Sequence, residues 1–193
     1  MTVEQQTQPV QAAAVSGPWP VVDRGQPLED SRAFRRCLGR YPTGVTVITA
    51  RHGDNLVGMT VNSFASVSLD PPLILWSIRR ESKQVEAYRN AEHFAVNMLA
   101  HDQMQVSQWF GKGLPEKFER VSWEAGLGGA PLIHGAVAQL ECERVSVQEA
   151  GDHLILIGEV KQYAHFDGKP LTFSNGEYVM TQGLPSEQTA RPN

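Results

Sequence analysis

Cysteine is nearly missing from this 193-residue chain: Cys37 and Cys142 stand alone, with no CxxC pair between them. That excludes a disulfide framework and a zinc ribbon, and it leaves two free thiols of the kind a reducing cytoplasm maintains. Basic surplus is missing as well. Seventeen Lys and Arg face 21 Asp and Glu, a net charge of -4, whereas a nucleic-acid footprint needs clustered positive charge. No apolar run approaches the ~20 residues of a membrane span, and the longest, Leu73 to Ile78, is strand-sized. Residues 1–14 carry neither the basic start nor the apolar stretch of a signal peptide. These absences predict a cytoplasmic protein whose partners include no nucleic acid and no membrane.

Familiar catalytic signatures are also lacking. Gly111-Lys112-Gly113 has Glu116 where a dinucleotide fingerprint needs its third glycine, and there is no P-loop. The six histidines (52, 93, 101, 134, 153 and 165) show no HxxxH spacing, so no metal site is expected. No GxSxG elbow is present, and no Ser, His and Asp set suggests a triad.

What is present reads as one domain of ordinary globular composition, 41% hydrophobic and 20% charged. Residues 1–28, rich in Gln, Pro, Ala and Gly, read as a flexible arm. Residues 29–183 form the domain, and 184–193 a loose tail. A first helix is expected after Asp30 or Ser31, with Phe34, Cys37 and Leu38 on one face and Gly39 and Pro42 as its stop. The signal is then mostly β. Gly44 to Arg51 is rich in β-branched residues, and His52-Gly53-Asp54-Asn55 turns it into a hairpin with Leu56 to Thr60. Further strands are predicted at Leu73 to Ile78, His93 to Leu99, from Ala136 onward, His153 to Tyr163 and Leu171 to Met180. A phase slip at Arg144 implies a bulge, with Val145 and Val147 continuing the apolar face. Short helices are predicted from Ser82 and from near Asp102. About seven strands joined by turns favour an antiparallel barrel with a few peripheral helices.

Three stretches carry chemistry. Thr60, Asn62, Ser63, Ser66 and Ser68 put small polar groups between apolar strands. They make either a polar turn or the lining that a flavin ring's alternating donor–acceptor edge requires. Arg79-Arg80-Glu81-Ser82-Lys83 is either a solvated helix start or a phosphate seat, with Ser82 as N-cap. Gly151-Asp152-His153 is a turn before an apolar strand, with a histidine that is either tolerated there or functional.

At these residues the chain resembles the flavin reductase family of two-component monooxygenases. The resemblance runs through Arg40-Tyr41-Pro42-Thr43-Gly44, Gly58-Met59-Thr60, Asp70-Pro71-Pro72, Phe94-Ala95-Val96-Asn97, Lys117-Phe118, Gly129-Ala130-Pro131-Leu132 and Gly151-Asp152-His153. It implies a split β-barrel homodimer that binds FMN or FAD near the subunit interface and takes a hydride from NADH or NADPH. Reduced flavin would pass to a partner monooxygenase. It further implies that Thr60, Asn62 and Ser63 line the isoalloxazine, that Ser77, Ile78 and Arg79 follow the flavin chain, and that Ser82 and Lys83 hold phosphate. Trp109 and Phe110 correspond to a flavin-proximal aromatic segment, or serve as core. His153 and Tyr178 correspond to the nicotinamide side. Glu81, Lys83, Gln84 and Leu154 depart from the family pattern. Two rival readings share the barrel: a flavin carrier without catalysis, and an oxidase of the pyridoxamine-phosphate type.

Overall fold

The computed structural model describes residues 19–183, and the chain divides into two units, Met1–Leu38 and Gly39–Asn193. The expected tail at 184–193 and the first 18 residues of the expected arm lie outside the described residues. In the first unit, helix α1 (Ser31–Gly39) begins where the Asp30 carboxylate accepts the N–H groups of Arg32 and Ala33, both at 2.9 Å. That is a side-chain N-cap satisfying two orphan donors. Arg36 forks onto Asp23 at 2.9 and 3.1 Å, tying the preceding segment to the helix.

The second unit is mainly β. Its strands are β1 (Thr43–Gly44), β2 (Thr46–His52), β3 (Asn55–Val61), β4 (Ala65–Leu69), β5 (Pro72–Arg79), β6 (His93–Met98), β7 (Trp123–Ala125), β8 (Pro131–Ile133), β9 (Ala138–Ala150), β10 (His153–His165), β11 (Thr172–Ser174) and β12 (Glu177–Val179). Two helices interrupt them, α2 (Val85–Asn90) and α3 (Met104–Gly111). Seven strands form one antiparallel sheet in the order β3-β2-β6-β9-β10-β5-β4.

That order bends the sheet. β3 and β4 are its two edges, yet only Asn62, Ser63 and Phe64 join them. Four Cα–Cα steps reach about 15 Å, whereas a flat seven-stranded sheet would hold its edges about 29 Å apart. The sheet must therefore curl until its edges approach at this link. No ladder joins β3 to β4 among the described residues, so the expected barrel is not closed by hydrogen bonds. Inside the curl lies one core, drawn from β2, β3, β5, β6 and β10: Ile48, Val61, Trp76, Phe94, Leu154 and Leu156. Trp76 meets Tyr88 of α2 edge-on at 4.9 Å and Phe94 at 5.9 Å, a favoured geometry for rings.

β2 is buried on both sides. Val47 belongs to a second cluster with Leu99, Phe110, Ile133 and Leu171, outside the curl. Gly58 lets α3 approach there, since a Cβ on it would lie 2.6 Å from the Phe110 ring. Asn97, fully buried, braces this layer: it donates to the Val47 and Pro131 carbonyls and accepts the N–H of Ile133 at 2.7 Å.

Several sequence expectations need correction. Gly44 to Arg51 is two strands, broken at Val45, because Val45 turns its N–H to Leu171. Leu171 to Met180 is not one strand but the β11–β12 hairpin. Asn175 (φ 52°) and Gly176 (φ 85°) make the two-residue turn, and Asn-Gly is the pair that favours such a turn. The bulge is present, with Ile157 opposite Ser146 and Gly158 opposite Arg144, which leaves Val145 as the extra residue. Val145 is exposed rather than continuing the apolar face, since the bulged residue leaves the pleat. Ser82 is not the N-cap of α2. The helix begins at Val85, with Gln84 as N-cap and no side-chain cap bond.

Candidate active site

Beyond Ala65, β4 no longer pairs with β5, and the edge of β5 from Trp76 to Arg79 runs on alone past it. The three-residue link crosses this gap. The Ser63 hydroxyl accepts the N–H of Ser77 at 3.0 Å and donates to the Ser77 carbonyl at 3.1 Å, standing in for the missing strand. Asn62 beside it is exposed, and so is Arg79. Register sets His153 of β10 opposite Arg79, with Leu154 opposite Ile78 and Ile155 opposite Ser77. Strand alternation turns Ile78 and Leu154 into the core and leaves Ser77, Arg79 and His153 on the other face.

His153 is half-buried, and its Nδ1 lies 2.7 Å from the Asp152 carboxylate. The bond holds the Asp152 carboxyl below the usual carboxylate range, with the charge of a protonated imidazole adding to it. The turn is tied to β5, since Arg80 donates its N–H to the Asp152 carbonyl at 3.0 Å and its guanidinium pairs with Glu149 at 3.4 Å.

Around Ser82 the chain forms a turn, with the Ser82 N–H on the Arg79 carbonyl and the Ser82 hydroxyl accepting the N–H of Gln84 at 3.3 Å. Lys83 is exposed. The Gln84 side chain crosses to β3, where it accepts the N–H of Gly58 at 3.0 Å. The departure at Gln84 therefore has a structural use.

Thr60 and Tyr178 are joined through a residue the sequence reading passed over. Thr60 donates to the carbonyl of Ser107 at 2.6 Å, and the Ser107 hydroxyl bonds the Tyr178 hydroxyl at 2.8 Å. Ser107 is 1% exposed. Its signal was a hydroxyl on the apolar face of α3, three residues before Phe110. The Tyr178 ring packs edge-on against Phe173 at 5.3 Å.

Two expected contacts change character. Phe110 is 1% exposed, packed edge-on against Phe118 at 5.2 Å, and its ring has no free surface for a ligand. Ile78, also 1% exposed, can offer a ligand only its backbone. Trp109 is half-buried under the Arg120 guanidinium, 5.7 Å from the ring centre. Thr60, Asn62, Ser63, Ser77, Arg79, Ser82, Lys83 and His153 all belong to β3, the link, β5, the turn before α2 and the first residue of β10. Among the described residues no three His, Cys, Asp or Glu side chains are grouped to hold a metal ion.

The curled antiparallel sheet thus carries hydroxyls, an amide and two cations along one open edge. Residues 38–182 match the flavin reductase like domain, and the chain belongs to that family. It is 48% identical over 150 residues to the FMN reductase (NADH) SmoA of Agrobacterium fabrum, covering 78% of this chain and 86% of that one. It is 37% identical over 163 residues to HsaB, the reductase subunit of a flavin-dependent monooxygenase of Mycobacterium tuberculosis, covering 83% and 86%. Among solved structures, the NADH:FAD oxidoreductase SgcE6 of Streptomyces globisporus C-1027, in complex with NAD and FAD fragments, superposes with a TM-score of 0.79. That pair is 36% identical over 86% of this chain and 100% of that one.

Proposed function

We propose that this chain is an NAD(P)H:flavin oxidoreductase that passes a hydride from reduced nicotinamide to FMN or FAD and supplies reduced flavin to a partner monooxygenase. The observation that carries the reading is the kinship with an NADH-dependent FMN reductase and with a monooxygenase reductase subunit over most of both chains.

The residues along the open edge fit a flavin nucleotide. The exposed Asn62 amide offers donors to the ring edge, while the Thr60 and Ser63 hydroxyls, whose protons go to the Ser107 and Ser77 carbonyls, offer lone pairs. Ser77, the Ile78 backbone and Arg79 follow the chain, and Ser82 with Lys83 suit an anionic phosphate. A bound flavin supplies the hydride acceptor, and the protein's part is position, holding reacting atoms about 3–3.5 Å apart. Donors at the ring edge favour the negative charge that grows there during transfer. His153, fixed by Asp152, orients the nicotinamide carboxamide; Tyr178, the other residue assigned to the nicotinamide, has its hydroxyl bonded to Ser107 of α3. No side chain of this set needs to donate or remove a proton at the hydride itself.

The fold we propose is a split β-barrel, supported by the three-residue link that draws its edges together. We propose a homodimer in the cytoplasm, its interface on the outer face of β5 and β10, where Leu75, Ile155 and Ile157 stay only half-buried. A mass near 21 kDa by light scattering at micromolar concentration would refute the dimer. The domain we propose spans residues 29–183, with 1–28 dispensable for chemistry.

Mixing purified protein with NADH or NADPH and flavin, and following the nicotinamide absorbance, tests the reading. Consumption that depends on both partners is the expected result. Flavin binding without consumption would favour the carrier, and turnover of pyridoxamine phosphate would favour the oxidase.

A further inference from the structure

A cavity of about 520 Å³ is lined by none of the residues assigned to flavin or nicotinamide. Its walls are the segment after β6, the segment before β9 and the segment after β10. They are locked together. The Gln103 side chain accepts the Ala100 N–H at 3.0 Å and donates to the His134 carbonyl at 2.8 Å. Val137 donates its N–H to Met98 and accepts that of Phe166, both at 2.8 Å. His101 donates its N–H to the Lys169 carbonyl at 2.9 Å. A cavity bonded on three sides is preformed, and its volume lies in the range of small-molecule sites.

Carboxylates outnumber every other titratable group in its lining. Asp102, Glu124 and Asp167 contribute three, His101 and His134 add two imidazoles, and no Lys or Arg lines it. Gln139 is 7% exposed and reaches it from the sheet. The Gln139 amide nitrogen donates to the carbonyl of Ile133 at 2.8 Å and faces Asn97 Oδ1 at 3.4 Å. Both partners are acceptors, which fixes the amide's orientation. Its oxygen makes no hydrogen bond to the described residues and is left open toward the cavity. Phe166, half exposed, offers an aromatic wall. Three carboxylates, an open amide oxygen and an aromatic wall, spread over a cavity of this size, complement an organic cation.

We propose that this cavity binds a small organic cation, a guanidinium or alkylammonium compound. The nitrogen donors meet the Gln139 oxygen and the carboxylates, while the Phe166 ring covers the charge. The site is independent of the flavin reading.

Agmatine is the probe, titrated into the full-length ¹⁵N-labelled protein. Saturable shifts should map to Gln139, Phe166 and the Gly135 turn. Glu124→Gln and Asp167→Asn should each weaken binding roughly ten-fold, the loss of one charge-assisted bond, with unchanged melting temperature and flavin reduction. Neutral butylurea should not bind. The proposal is overturned by shifts that do not saturate by about 10 mM, by saturable shifts elsewhere, by variants that bind agmatine as the wild type does, or by equal binding of butylurea.

Discussion

The Ser63 hydroxyl sits on both backbone polar groups of Ser77, at 3.0 and 3.1 Å, where β4 has stopped pairing with β5. One side chain thereby replaces a rung of the ladder on the edge of β5. Ser63 fixes the edge, and Arg79 and His153 stand just beyond it.

His153→Ala should slow hydride transfer and raise the KM for NADH while leaving flavin affinity nearly unchanged. The imidazole is held by Asp152 at 2.7 Å, which gives it a defined direction. Stopped-flow reduction of the flavin-bound variant, with melting temperature as control, reads the effect. A folded variant that reduces flavin at the wild-type rate at every NADH concentration would remove His153 from the reaction.

Lys83→Ala should weaken FMN binding by about ten-fold and riboflavin binding far less, because riboflavin has no phosphate. Lys83 is exposed, so the fold should be indifferent to the change. Fluorescence titration with both flavins measures the contrast. Equal losses would assign the phosphate elsewhere.

Ser107 and Tyr178 should behave as a pair. Tyr178→Phe leaves a buried hydroxyl on Ser107 without its partner, at a cost of about 1–3 kcal/mol. Ser107→Ala should also destabilise. The double variant should cost less than the two singles together, because both halves of the bond are then gone. Urea unfolding of the four proteins gives the coupling, and strict additivity would contradict the bond. Thr60 should keep its own contact throughout, since it donates to the Ser107 backbone.

The two thiols should react differently. Cys37 is exposed and Cys142 is fully buried. Burial pushes the Cys142 thiol up from 9.0 to about 12, with the neighbouring Glu141 charge adding to it. The unfolded chain thus sheds this proton at lower pH than the folded protein. The stability linked to Cys142 is complete below pH 9 and declines as pH rises from 9 toward about 12. Titration with an aromatic disulfide at pH 8 should count one fast thiol in the native protein and two after denaturation. Two fast thiols in the native state would show that the β6–β9 side of the core opens readily.

Much of this protein was legible along the chain. β-branched runs, the Gly53-Asp54 turn, a bulge beside Arg144 and a cap at Asp30 or Ser31 all follow from local preferences. Those preferences act within a few residues, where the sequence displays them. The polar stretch from Thr60 to Ser68 and the Gly151-Asp152-His153 turn marked the candidate site for the same reason. The β11–β12 hairpin was legible too, in Asn175-Gly176, but the apolar run around it masked the turn.

Other features depend on neighbours that the sequence does not display. Phe110 and Trp109 share a helix at adjacent positions, yet one ring is sealed against Phe118 and Gly58 while the other lies under Arg120. Only packing could separate them. The Ser107 bridge joins residues 47 and 71 positions away, and Gln84 reaches Gly58 across 26. The pairing of His153 with Arg79 exists only because β10 lies beside β5. Local sequence determined which segments would be strands and which residues were polar among them. The curl of the sheet decided which of those residues met, because strand order is set by burying one shared core and not by any preference within a strand.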